Sequence, residues 1–143
     1  MPRLLPAVLI AFAAATAARA APSCHGLSAT AVAFSAYDVY SAAQQAVQGS
    51  IIYNCPPPIN PTVTVDGGLH LSGGQRNMLL TTGPDLLRYG LFFDAACTQV
   101  ISPTATTAIA AGSGTITFYA CLPPLQDVSV GSYGDTVTVT FNF

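Results

Sequence analysis

An all-β sandwich is the fold class this sequence predicts, and three observations predict it. Short apolar stretches alternate with a period of two, Gly- and Pro-rich turn signals interrupt the chain about every 10 residues, and no window carries a long helical repeat. The clearest stretch is the last. From Tyr133, residues Tyr133, Val137, Val139, Phe141 and Phe143 share one face, while Ser132, Gly134, Thr136, Thr138, Thr140 and Asn142 share the other. The chain ends inside this strand, with no turn or partner after it. A terminal strand this apolar must pair on at least one side, and an edge left over is a template for another chain.

The other elements follow in chain order. Residues 27–34 form a first strand of ambiguous facing, with Leu27, Ala29, Ala31 and Ala33 on one side and Val32 and Phe34 on the other. Residues 39–48 are polar and alanine-rich, a loop with room for a helical turn. Residues 50–55 are a second strand, stopped by Pro56-Pro57-Pro58, which lack the N–H groups a ladder needs. Residues 62–66 alternate again up to Gly67-Gly68, residues 70–74 are turn-rich, and residues 76–82 form a short strand ended by Gly83-Pro84. Residues 86–93 are a strong strand with Tyr89, Leu91 and Phe93 on one face. Residues 102–114 are a Thr, Ala and Gly loop with one weak strand at its end, and residues 114–122 are a clear strand ended by Pro123-Pro124.

Residues 1–20 have the layout of an export leader: Arg3, an apolar run from Leu4 through Ala18, and the small-x-small site Ala18-Arg19-Ala20. The run is shorter than the ~20 apolar residues of a spanning helix, and no later stretch reaches that length. Cleavage leaves 143 − 20 = 123 residues, the size of one domain, residues 21–143. The mature part has Arg76 and Arg88 against six Asp and no Glu or Lys, a net 2 − 6 = −4. That balance argues against nucleic acid as a partner, because phosphate neutralisation needs clustered Lys and Arg. So few charges on a Thr-, Ser-, Ala-, Gly- and Pro-rich surface suit a protein packed against copies of something. They suit a small neutral extracellular domain equally.

The chemical inventory is thin. Cys24, Cys55, Cys97 and Cys121 are even in number, and in an exported chain the default is two disulfides; no CxxC pair points to zinc, and no cofactor is expected. His25 and His70 are the only imidazoles, neither lies in HExxH or beside a GxSxG elbow, and both read as exposed or loop residues. Asp38, Asp66, Asp85, Asp94, Asp127 and Asp135 all sit where turns or strand ends would place them, with side chains bonded to neighbouring backbone N–H groups. Gly67-Gly68 and Gly73-Gly74 are turns, not phosphate cradles. No catalytic residue is expected, and the chain is not read as an enzyme.

Three segments carry a family resemblance: Cys24 with Val32-Ala33-Phe34-Ser35-Ala36-Tyr37-Asp38 and Gly49-Ser50-Ile51-Ile52-Tyr53-Asn54-Cys55; Leu87-Arg88-Tyr89-Gly90-Leu91-Phe92-Phe93-Asp94; and Gly131-Ser132-Tyr133-Gly134-Asp135-Thr136-Val137-Thr138-Val139-Thr140-Phe141. Together they resemble the spore coat protein U domain family, which includes subunits of archaic chaperone–usher pili. Ser35 and Ala120-Cys121 stand where the family usually has Gly. The resemblance implies an immunoglobulin-like β-sandwich lacking its final strand, a Cys24–Cys55 disulfide, and a groove lined by Phe34, Val137, Val139, Phe141 and Phe143. Cys97 and Cys121 look like an added pair. The implied partners are a periplasmic chaperone that fills the groove first, an outer-membrane usher, and other pilus or coat subunits, one of which then donates its N-terminal strand. The implied location is the cell surface, reached through the periplasm.

On the donor side only Ala21, Pro22 and Ser23 precede Cys24 after cleavage, whereas a donor strand needs ~8 to 10 alternating residues. The expectation is a subunit that accepts a strand and donates none, placed at a pilus tip or outside a fibre. The competing reading is a self-contained secreted binding module or adhesin, its groove closed by its own loop, residues 102–114.

Overall fold

The computed structural model describes residues 7–11 and 22–143, so Arg3 and the cleavage site Ala18-Arg19-Ala20 lie outside the described residues. Ten strands make up the described chain: β1 (Ala7–Ala11), β2 (His25–Ala29), β3 (Gln45–Cys55), β4 (Thr62–Val65), β5 (Arg76–Leu80), β6 (Leu86–Phe92), β7 (Thr106–Ala108), β8 (Gly112–Leu122), β9 (Tyr133–Gly134) and β10 (Thr136–Asn142). They form two sheets, ordered β1-β10-β4-β7 and β2-β3-β8-β6-β5-β9. Among the described residues there is no helix. The inner faces of the two sheets meet in one apolar core that includes Ile51, Tyr53, Leu87, Tyr89 and Phe118 from the larger sheet and Val63, Val65, Val137, Val139 and Phe141 from the smaller. This is the immunoglobulin-like arrangement of two packed sheets, antiparallel throughout except for the parallel β1–β10 pair.

The long β3–β8 ladder is the backbone of the larger sheet, pairing residues from Gln45↔Leu122 to Cys55↔Gly112. β3 begins at Gln45, earlier than alternation alone predicts, because the Gln-Ala-Gly stretch gains a full partner in β8. Two of its pairs set a glycine against an aromatic ring: Gly49 opposite Phe118 and Gly114 opposite Tyr53. Each ring lies across the bare Cα of its partner, where a Cβ would collide with it. That closeness lets Phe118 and Tyr53 lie flat in the core, and Tyr53 then meets Phe141 of the opposite sheet at 5.9 Å between ring centroids.

Several boundaries differ from the sequence expectation. The first strand ends at Ala29, and the ambiguity in its facing resolves with Val32 and Phe34 buried in the segment beyond it. Residues 39–44 form no helix, but Val39 and Tyr40 make a single turn closed by Ser41 N–H donating to Asp38 O at 3.1 Å. On β6 it is Leu87, Tyr89 and Leu91 that turn inward, while Phe93 lies past the strand end and is exposed. The loop at residues 102–114 contributes β7, which pairs with β4 at Thr62↔Ala108 to Thr64↔Thr106. It therefore covers the β4 edge of the smaller sheet and not the β10 edge.

The main correction concerns the terminal strand, which is two strands in two sheets. β9 pairs with β5 through Leu79↔Gly134 and Leu80↔Tyr133, whereas β10 pairs with β4 from Val139↔Val65 to Asn142↔Thr62. The chain passes from one sheet to the other at Asp135. Phe143 is a second correction: it follows the last paired residue, Asn142, and is 53% exposed, so the buried face of β10 ends with Phe141. Parity alone would place Phe143 inside, but the pairing of β10 with β4 ends at Asn142↔Thr62.

Candidate functional site

The candidate site is the outer edge of β10. On its inner edge, Asp66 N–H donates to Thr138 O at 3.0 Å, Leu69 N–H donates to Thr136 O at 3.2 Å, and Thr138 N–H donates to Asp66 Oδ1 at 2.9 Å. Successive residues of a strand direct their backbone groups to opposite edges. Because Thr136 and Thr138 face β4, Val137 and Val139 direct their N–H and C=O groups to the other edge. Their side chains meanwhile stand in the core, both nearly inaccessible. One pair of residues thus supplies the edge with hydrogen-bonding groups and the groove with an apolar floor.

That floor includes a recess. Ile51, Val65, Leu91, Ile101, Phe118, Val137 and Val139 line a small recess of about 10 Å³ between the two sheets. Its lining is wholly apolar. Of the residues named from sequence, Phe34, Val137, Val139 and Phe141 are buried in the common core, and Phe143 is not. The outer edge is met by β1, which runs parallel to β10 from Ala7↔Thr136 to Ala11↔Thr140. An apolar strand from the opposite end of the chain therefore completes the sheet.

A buried polar cluster fixes the start of β10, and sequence reasoning missed it. The Asp135 carboxylate is fully enclosed and accepts hydrogen bonds from Tyr89 Oη at 2.6 Å and Leu69 N–H at 3.0 Å; it also pairs with His70 Nδ1 at 3.0 Å. Burial first, and then the bond to Asp135, push the Tyr89 hydroxyl far above the ordinary tyrosine value of 10.0, so it remains a donor. Asn77 Nδ2 donates to the His70 carbonyl at 3.0 Å and the Gln75 carbonyl at 2.9 Å, holding the same turn. Arg76, 4% exposed, donates to three backbone carbonyls, those of Asp66, Ile101 and Val65, at 2.9, 2.7 and 3.0 Å. Burial lowers its pKa, opposed by the charges and dipoles of Tyr89, Asp66 and Asp135.

Asp66 behaves as a turn aspartate, its Oδ1 accepting from Gly68 N–H at 2.9 Å. Asp135 does not, since its partners lie 46 to 66 residues away in sequence. His70 is likewise a member of this cluster and not a free loop residue, whereas His25 is exposed at the start of β2. The signal available in the sequence was parity: Asp135 lies on the same face as Tyr133 and Val137, an acid on an apolar face. Its work is to tie the β4–β5 turn to the sheet crossing.

Disulfides join Cys24 to Cys55 and Cys97 to Cys121. The first anchors the chain entering β2 to the end of β3, and the second ties the loop after β6 to β8. Among the described residues no group of three or more His, Cys, Asp or Glu side chains could hold a metal ion, and no helix is long and apolar enough to cross a membrane.

The two packed sheets define an all-β, immunoglobulin-like sandwich. The family model of the spore coat protein U domain matches residues 10–140, and the chain belongs to that family. Among solved structures, it is similar to a chain in the crystal structure of the CsuC–CsuE chaperone–tip adhesion subunit pre-assembly complex, from archaic chaperone–usher Csu pili of Acinetobacter baumannii. The match has a TM-score of 0.58 and 24% identity, and covers 86% of this chain and 40% of that one. The likeness shows a shared fold, and this chain spans less than half the length of its counterpart. No curated protein matches the chain.

Proposed function

We propose that this protein is an exported structural subunit of a cell-surface fibre or coat, which accepts a strand from another chain along the outer edge of β10. The observation that carries the reading is the double use of Val137 and Val139, whose backbone groups face that edge while their side chains floor an apolar recess. An edge of this kind gains main-chain bonds and buries alternate side chains together when a strand is added. A periplasmic chaperone would hold it first, and a neighbouring subunit would replace the chaperone at an outer-membrane usher. Phe34, Val137, Val139 and Phe141 are the groove residues in this reading.

The finer placement is at a fibre tip. With cleavage after Ala20, Ala21-Pro22-Ser23 is too short to serve as a donor strand, so the subunit accepts without donating. Two experiments test the proposal. Expressed from Ala21 alone, the protein should aggregate, and with a co-expressed chaperone it should purify as a one-to-one complex; a stable monomer alone would overturn the acceptor reading. Sequencing the N-terminus of the exported protein tests the tip placement, which a start well before Ala21 would sink.

A further inference from the structure

The pairing of β1 goes beyond showing that the β10 edge can be filled. In a parallel ladder, a residue facing its partner strand bonds the residues before and after the one opposite it. Val137 stands opposite Val8 and Val139 opposite Ile10. Val137 therefore engages Ala7 and Leu9, and Val139 engages Leu9 and Ala11, which makes Leu9 the shared residue of the ladder. The segment Ala7-Val8-Leu9-Ile10-Ala11 lies within the apolar run of the leader and has the composition of a buried strand. Twelve residues, 12–23, separate it from Cys24.

We propose that Ala7–Ala11 is a built-in occupant of the acceptor edge. While the leader remains attached the chain completes its own sheet in cis, and removal of the leader is the event that makes the edge available to a partner strand. The inference rests on the acceptor reading above and adds to it a second role for the leader, as a temporary strand. β1 has five residues against seven in β10, and among the described residues its pairing stops at Ala11↔Thr140, short of Phe141, whose backbone groups face the same edge as those of Val137 and Val139. A longer incoming strand would find its foothold there.

Hydrogen exchange on the full, uncleaved chain and on its Leu9→Pro variant tests this, because proline removes the N–H that the Val137 carbonyl accepts. The Val137 and Val139 amides should be protected in the full chain and should exchange about tenfold faster or more in the variant, while the Ile51 amide stays protected. Rapid exchange at Val137 and Val139 in the unaltered chain would overturn the cis occupancy and leave the acceptor edge standing. Equal protection in both chains would overturn both readings, because the edge would then be covered by something else. Should the variant lose protection at Ile51 as well, exchange in the unaltered chain alone decides.

Discussion

Replacing Asp135 by alanine should cost about 3–5 kcal/mol of folding stability. The carboxylate is enclosed and bonds Tyr89 Oη at 2.6 Å, Leu69 N at 3.0 Å and His70 Nδ1 at 3.0 Å. Hydrogen bonds to an ionised acceptor contribute about 1.5–3 kcal/mol each, so a simple sum would be roughly 4.5–9 kcal/mol. The expected loss is smaller, because the three share one carboxylate and His70, with 28% of its side chain exposed, can turn to water. The Leu69 amide keeps Thr136 O at 3.2 Å as an acceptor, whereas buried Tyr89 has no such outlet. Urea unfolding with the disulfides intact, followed by tyrosine fluorescence, measures the loss, and the six tyrosines of this tryptophan-free chain make that signal usable. Tyr89→Phe alone should cost about 1.5–3 kcal/mol, and the double variant should cost less than the sum, because the two changes remove one shared bond. A loss below about 1 kcal/mol for Asp135→Ala, or strict additivity with Tyr89→Phe, would refute the view that this cluster holds the sheet crossing.

Three further outcomes are expected. Phe141→Ala removes the ring that meets Tyr53 and should weaken capture of a partner strand, since truncating a buried Phe costs about 3–5 kcal/mol; unchanged co-purification with a chaperone would contradict the groove assignment. Cys24→Ser should lower the yield of folded protein strongly, because opening a disulfide of sequence separation 31 releases loop entropy worth about 3–4 kcal/mol, and a yield equal to wild type would count against that role. Folded Tyr89 keeps its proton above pH 10 while unfolded tyrosine loses it, so its contribution is full below the unfolded value of 10.0 and declines as pH rises beyond it. Tyr89→Phe should flatten that alkaline decline in a stability profile, and an unchanged slope would assign it elsewhere.

The alternation of β10 was legible because Val, Thr and Phe are strand formers with one face buried, and the proline runs at Pro56 and Pro123 marked the ends of β3 and β8. What could not be read was any feature set by distant partners. Gln45 to Gln48 looked like part of a loop because Gln and Ala carry weak strand preference, yet they pair with β8 from Leu122 to Tyr119. The change of sheet at Asp135 was hidden because Tyr133, Asp135 and Val137 keep one parity through the crossing. In the sequence Arg76 was only one of two positive charges in the net balance, and only the fold reveals three carbonyls converging on it. The apolar run from Leu4 through Ala18 was read only as a targeting segment, and nothing local in it announces a pairing with a strand more than a hundred residues away.

The crossing at Asp135 has a mechanical consequence. A strand laid along β10 transmits any pull lengthwise, in the direction that loads many hydrogen bonds at once and not one after another. Because β9 continues the same backbone into the other sheet, where it is tied to β5, that tension would be divided between both layers of the domain. Asp135 sits at the joint, anchored sideways to Tyr89 and Leu69. A domain wired in this way would resist stretching as a unit and would not shed its last strand first.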